Sequence, residues 1–214
     1  MSASRRRVKR TREYDASGRQ ERAREAHDRT LDVAAEGFLA DGYEATTVAA
    51  IAAHAGVSEA TIYKSYGGKA GLARDLCHRA LRGQGAIPAE ERSNALRAGS
   101  TANELIDGWG RLTIEVAPRV APLLLVLRDA ATVNSEAALL LDELDRDRLA
   151  RMTNNARHLQ QAGYLRDGVS LNEARDVLWL TTSPELYELL VQRRRWPLER
   201  FANFVADTIR TIAR

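Results

Sequence analysis

The segment Thr46 to Lys69, TTVAAIAAHAGVSEATIYKSYGGK, constrains the fold more than any other part of this chain. Val48, Ile51, Ala52 and Ala55 recur at i, i+3, i+4 and i+7, which predicts a short helix with one apolar face. Thr47 stands at its N-cap position. Gly56 follows where the chain must turn sharply and a positive φ costs glycine least, and Val57 plugs the corner. Ser58 can then cap a second short helix. Two short helices hinged on a glycine make a helix-turn-helix, whose second helix presents contact-making side chains.

With Ile62 set as the inward direction of that second helix, Tyr66 lies roughly 40° away, on the buried side. Tyr63, Ala60, Lys64 and Thr61 fall at roughly 100°, 160°, 200° and 260°, forming an outward arc. The small Ala60 permits close approach to a groove and contact with a thymine methyl. Lys64 can donate to guanine O6 and N7, and Thr61 to a base edge or phosphate. Glu59, at the edge of the arc, can accept from cytosine N4 or simply favour the helix N-terminus. Gly67 and Gly68 break the helix. Lys69 then opens the next one, where the helix dipole disfavours a cation, so a bound phosphate is the expected resolution.

From about Ala26 to Leu81 the chain resembles the N-terminal DNA-binding domain of the TetR family of one-component bacterial transcription regulators. The likeness rests on a helix beginning near Arg29 with Leu31, Ala34 and Phe38, the Gly42-Tyr43 turn, Thr46-Thr47, the Ala55-Gly56-Val57-Ser58 corner, Thr61-Ile62-Tyr63, and Lys69. It implies that Thr47, Ser58, Tyr63 and Lys69 touch the phosphate backbone while the outward arc reads bases. Two departures stand out: Tyr66 replaces the family's usual phenylalanine, and Gly67-Gly68 replaces a pair with a polar cap. A buried Tyr66 must find a partner for its hydroxyl.

Charge is unevenly spread. Residues 1–20 carry seven basic side chains against two acidic ones, the remaining chain 25 against 27. Arg5, Arg6, Arg7, Lys9 and Arg10 therefore form a basic arm suited to phosphates or a minor groove, with a solvated tail as the plain alternative. No apolar stretch follows to make a secretory signal, and none approaches a membrane span, so a cytoplasmic location without membrane contact is expected. A single cysteine, Cys77, excludes an intramolecular disulfide and fits a reducing compartment.

Gln84–Arg97, with Gly85 and Pro88, reads as a linker. Beyond it helical patterns run over about 100–116, 118–132, 136–161, 171–192 with Pro184 as an interruption, and 197–212. With no alternating β-branched run to compete, the architecture expected is all-α. The last helix reads as apolar around its circumference, with Leu198, Phe201, Phe204, Val205, Thr208, Ile209 and Ile212 covering more than one stripe. Together with Leu171, Ala174, Leu178 and Leu186 it predicts a four-helix seam between two copies, with burial of the stripe inside one chain as the plain alternative, and pairing would also match a palindromic operator. The segment from Thr181 to Ala213 resembles the C-terminal end of many actinobacterial TetR-type regulators.

The central helices hold Trp109, Ile114, Leu123–Leu127, Leu139–Leu141, Leu144 and Met152, a region that the resemblance makes a chamber for an unknown small molecule. Arg128, Glu115 and His158 are candidate polar groups for it. Asp142, Glu143, Asp145 and Asp147 raise the question of a carboxylate metal site, but Arg146, Arg148 and Arg151 interleave with them as on an ion-paired face. No phosphate loop, Cys/His cluster or nucleophile elbow occurs, so neither catalysis nor a metal or cofactor is expected.

The expected organisation is a basic arm (1–20), a three-helix helix-turn-helix domain (21–68), a connecting helix (69–83) and a helical-bundle ligand-binding and dimerisation domain (84–214). The expected function is a homodimeric regulator, most simply a repressor released from double-stranded DNA by a small molecule. A helical small-molecule-binding protein without operator binding is the alternative.

Overall fold

The computed structural model describes residues 10–214, with side chains from residue 18 onward. It is all-α among these residues: α1 (Arg10–Ala40), α2 (Val48–Ala55), α3 (Glu59–Tyr66), α4 (Lys69–Arg82), α5 (Ala89–Arg97), α6 (Ala102–Ala131), α7 (Ser135–Gln161), α8 (Leu171–Thr181), α9 (Pro184–Tyr187) running into a π-helical turn (Glu188–Arg193), and α10 (Leu198–Arg210). None of these helices is long and apolar enough to cross a membrane.

The helical patterns translate closely except at four places. First, α1 begins at Arg10 rather than near Arg29, so the second half of the expected arm is helical. Leu31, Ala34 and Phe38 anchor its far end in the core, and once such a nucleus exists each added residue gains a backbone hydrogen bond with no further nucleation cost. Second, the expected linker contains α5: Pro88 precedes it, Glu90 and Glu91 sit in its first turn against the positive helix end, and Ala89 and Ser93 are buried one turn apart.

Third, α6 is one helix through Pro118 and Pro122, where two were expected. Each proline removes a backbone donor, but Trp109 before them, Val120 between them and Leu124 and Leu127 after them are buried, and that packing offsets the loss. Fourth, α10 is not apolar all round. Phe201, Val205, Ile209 and Ile212 face the chain's own core, with only Phe204 of that set largely exposed. Gly110 of α6 makes this close packing possible: a Cβ there would lie 3.0 Å from the Ala202 carbonyl and 3.1 Å from the Ala206 Cβ. The wide stripe read as a dimer seam is mostly intramolecular, and so are Ala174 and Leu178 of α8.

Two apolar cores share α6 and α7. One joins α1–α3 to the flank of α4 and continues into Val120, Leu124, Leu127, Leu140 and Leu144. The other unites α6, α7, α8 and α10 around Leu105, Trp109, Leu159 and Phe201. Helix α4 thus has one end at the helix-turn-helix and its length against the bundle. Arg79 pairs with Asp32 of α1 (2.8 Å), and Arg74 grips Glu143 of α7 through two nitrogens (3.0 and 2.7 Å).

Candidate nucleic-acid interface and the cavity behind it

The corner between α2 and α3 is fastened at each end. The Thr47 hydroxyl accepts from the Ala50 N–H at 3.1 Å, which leaves its own proton available to donate outward. Gly56 adopts φ 68°, and its N–H closes on the Ala52 and Ala53 carbonyls. From α1, the Arg29 Nε donates to the Ala55 carbonyl at 2.8 Å. Ser58 Oγ accepts from the Thr61 N–H (3.1 Å) and lies 2.8 Å from the Thr61 hydroxyl, so the two hydroxyls share one proton and leave the other for a partner outside.

Helix α3 turns Ile62 wholly inward and leaves Glu59, Ala60, Thr61, Tyr63 and Lys64 exposed, Tyr63 by 55%. The expected outward arc is therefore solvent-facing in its entirety. The Tyr66 hydroxyl does have a partner: it donates to the His27 carbonyl of α1 at 3.1 Å, and its ring lies 5.0 Å from that of His27. A tyrosine here ties α3 to α1. Gly67 and Gly68 both have positive φ (78° and 115°), and the Tyr63 ring lies against Gly68.

Lys69 has a role that the sequence did not suggest. Its Nζ donates to the Tyr43 carbonyl at 2.9 Å and sits 4.3 Å from the centre of the Tyr43 ring. The apparent misfit of a cation at a helix start is relieved inside the chain, by the loop between α1 and α2, without any phosphate. The start of α4 is also wedged tightly beneath α3: a Cβ on Gly71 would lie 1.6 Å from the Tyr66 carbonyl oxygen. Of the basic arm, Arg5, Arg6, Arg7 and Lys9 lie outside the described residues, and Arg10 is the first residue of α1.

Behind the reading head, α4, α5, α6, α7, α8 and α10 line a cavity of about 860 Å³ that is partly open to solvent. Cys77 of α4 is on its wall but fully buried, and burial pushes its thiol up to about 12, which keeps it protonated and unreactive. Five buried side-chain polar atoms lack a partner among the described residues, and three of them belong to this wall: Trp109 Nε1, Arg148 Nε and Asn155 Oδ1.

None of the three polar candidates taken from the sequence is on the wall. Arg128 pairs with Asp129, Glu185 and Glu188, Glu115 is held by Arg92 (2.7 Å), and His158 stands beside Tyr164. The signal that was missed is positional. Leu144, Arg148, Met152, Asn155 and Leu159 follow one another at intervals of three or four, so Arg148 and Asn155 occupy the apolar stripe of α7. Two of the acids of that helix are committed to arginines, Glu143 to Arg74 and Asp145 to Arg148 (3.1 Å).

Residues 31–76 match the family profile described as "Bacterial regulatory proteins, tetR family". No curated protein matches the sequence. Among solved structures the chain is similar to a TetR-family transcriptional regulator from Rhodococcus sp. (15% identity, TM-score 0.62, covering 89% of this chain and 99% of that one). It is also similar to a transcriptional regulator from Saccharomonospora viridis in complex with choline (20%, 0.65, 89% and 98%). A third likeness is to NalD, the secondary repressor of the MexAB-OprM multidrug efflux pump in Pseudomonas aeruginosa (17%, 0.68, 91% and 98%). Residues 31–76 are the N-terminal helix-turn-helix domain of the tetR family of bacterial regulatory proteins, carried on a chain with the all-α fold of TetR-type regulators.

Proposed function

We propose that this chain is a homodimeric repressor that binds a palindromic operator through α3 and is released when a small molecule fills the cavity. The observation that carries the reading is the outward face of α3: Ala60, Thr61, Tyr63 and Lys64 are exposed together on a helix pinned from behind by Ile62 and Tyr66. Ala60, Thr61 and Lys64 read base edges, and Tyr63, Thr47 and Ser58 hold phosphates with their outward hydroxyls. Lys69 reaches the backbone only as far as its hold on the Tyr43 carbonyl allows. Arg5, Arg6, Arg7 and Lys9, with Arg10 at the start of α1, add salt-dependent affinity.

A single α3 covers few base pairs, so two copies are required, with their α3 helices about one DNA turn, roughly 34–36 Å, apart. The exposed apolar side chains of the C-terminal elements supply the seam: Phe204 of α10, the one exposed member of the set the sequence suggested, with Trp179 and Leu180 of α8 and Leu189 of the π turn. Release follows from the position of α4. Cys77, His78 and Leu81 line the cavity, while Lys69 at the other end holds the reading head. A ligand that displaces α4 moves one α3 relative to its twin.

Footprinting on the DNA upstream of its own gene tests the proposal. Two protected half-sites related by a twofold axis are expected, with sedimentation as a dimer that Leu180→Glu and Leu189→Glu together convert to monomer. Absence of protection at low salt would instead favour a ligand-binding protein without an operator.

A further inference from the structure

The cavity is sided. Trp109 and Asn155 are both more than nine-tenths buried, yet Trp109 Nε1 has no acceptor and Asn155 Oδ1 has no donor. Leaving such atoms unpaired costs about 1–3 kcal/mol each, which marks the places where a guest would gain most. The two residues stand at matching levels of the α6–α7 hairpin, and both line the cavity. Trp109 lies 22 residues before the end of α6 at Ala131, Asn155 lies 20 residues after the start of α7 at Ser135, and Trp109, Met152 and Ala156 share one core. A hydroxyl is the smallest group that serves both, accepting from the indole N–H and donating to the amide oxygen.

The third orphan is Arg148 Nε, on the same face of α7, seven residues and so about 10 Å from Asn155, with Met152 between them. Arg148 spends its other nitrogens on the Trp179 carbonyl (2.7 Å) and Asp145 and lays its guanidinium over the Trp179 ring, so Nε is its one nitrogen without a partner among the described residues. The charged groups on the wall are four arginines (Arg82, Arg97, Arg148 and Arg151) against Glu90 and Asp147, with His78 in addition. Arg97 feels both burial and the like charge of Arg151, and both lower its pKa. Arg151 pairs with Glu90 and Arg148 with Asp145, so with Asp145 counted four arginines stand against three carboxylates, and the excess positive charge on the wall favours an anion.

Resting on the reading of this cavity as the ligand chamber, we propose that it takes an elongated hydroxy acid: an apolar aryl or alicyclic body with a hydroxyl between Trp109 and Asn155 and a carboxylate at Arg148, about 10 Å away. Met152 and Leu112, level with one another between those two ends, line the apolar middle.

The test uses the full-length protein, the dye 1-anilinonaphthalene-8-sulfonate as reporter, and three displacing probes. These are 4′-hydroxybiphenyl-4-carboxylate, biphenyl-4-carboxylate without the hydroxyl, and 4-hydroxybiphenyl without the carboxylate. The hydroxy acid is expected to bind roughly tenfold tighter than either truncated probe. The hydroxyl advantage should vanish in Trp109→Phe and Asn155→Leu, and the carboxylate advantage should shrink in Arg148→Lys. Comparing probes on the unaltered protein keeps the test valid if a variant fails to fold. Equal displacement by all three probes would overturn the assignment and mean that ordered water alone serves the polar atoms. Dye binding that no probe displaces would overturn the ligand class while leaving the chamber intact. Failure of the dye to bind at all would overturn the chamber reading itself.

Discussion

The reading head and the cavity treat polar side chains in opposite ways. On α3 the groups able to recognise something, Thr61, Tyr63 and Lys64, stand in solvent around a buried Ile62. On α7 Asn155 and Arg148 lie within the apolar stripe, each with an atom left unpaired. A polar arc on an exposed helix costs little when empty, because water satisfies it, and it can wait for a partner as large as a DNA groove. Buried orphans cost stability in the empty state and repay it only when a guest of matching shape arrives. One surface is built for a long, charged polymer, the other for a small molecule with few polar groups.

Close packing beneath α3 is what keeps that face rigid, so the largest effect is expected there. Gly71→Ala places a Cβ against the Tyr66 carbonyl and should destabilise the protein by about 3 kcal/mol, measured by urea denaturation, since α4 must move away from α3. A near-neutral result would mean that the reading head is not wedged onto α4. Lys69→Met is the sharper probe of how head and bundle are joined. Loss of the hold on the Tyr43 carbonyl should cost about 1 kcal/mol of stability. If Lys69 serves only that hold, the salt dependence of DNA binding stays the same; a slope shallower by about one would show that it also neutralises a phosphate.

A smaller effect belongs to the bundle alone. Arg92, with the Gln84 N–H, holds the Glu115 carboxyl below the ordinary glutamate range. A carboxylate whose folded pKa is depressed adds stability that is present above its unfolded value, about 4.3, and lost as pH falls through the folded one. Thermal melts of Glu115→Gln should therefore lie below wild type at neutral pH and converge with it in acid. Parallel curves would remove Glu115 from the acid response.

The two regions also differed in how much their sequences disclosed. In residues 46–69 each signal is local: Thr47, Gly56 and Ser58 act on backbone within a few residues, and Ile62 fixes the orientation of its neighbours. Caps, corner and outward arc were therefore readable directly. The hold of Lys69 on the Tyr43 carbonyl was not readable, because that partner is 26 residues away and is brought close only by the fold. The bundle depends on such distant partners throughout. Pro118 read as a break because the packing that carries α6 past it comes from other helices, and α10 read as a two-sided helix because Gly110, which lets it press against α6, lies about 90 residues earlier. Arg148 and Asn155 were visible in the stripe of α7, but only the cavity distinguishes an orphaned polar atom from a paired one.

The central claim is that the exposed arc of α3 reads bases while contributing nothing to folding. Fluorescence anisotropy with upstream DNA and single-base variants, comparing wild type with Lys64→Ala at matched salt, tests it most directly. The account predicts an unchanged melting curve, weaker binding by about 1–3 kcal/mol, and relaxed preference at one base pair in each half-site. Unchanged affinity and base preference in a folded Lys64→Ala protein would contradict it.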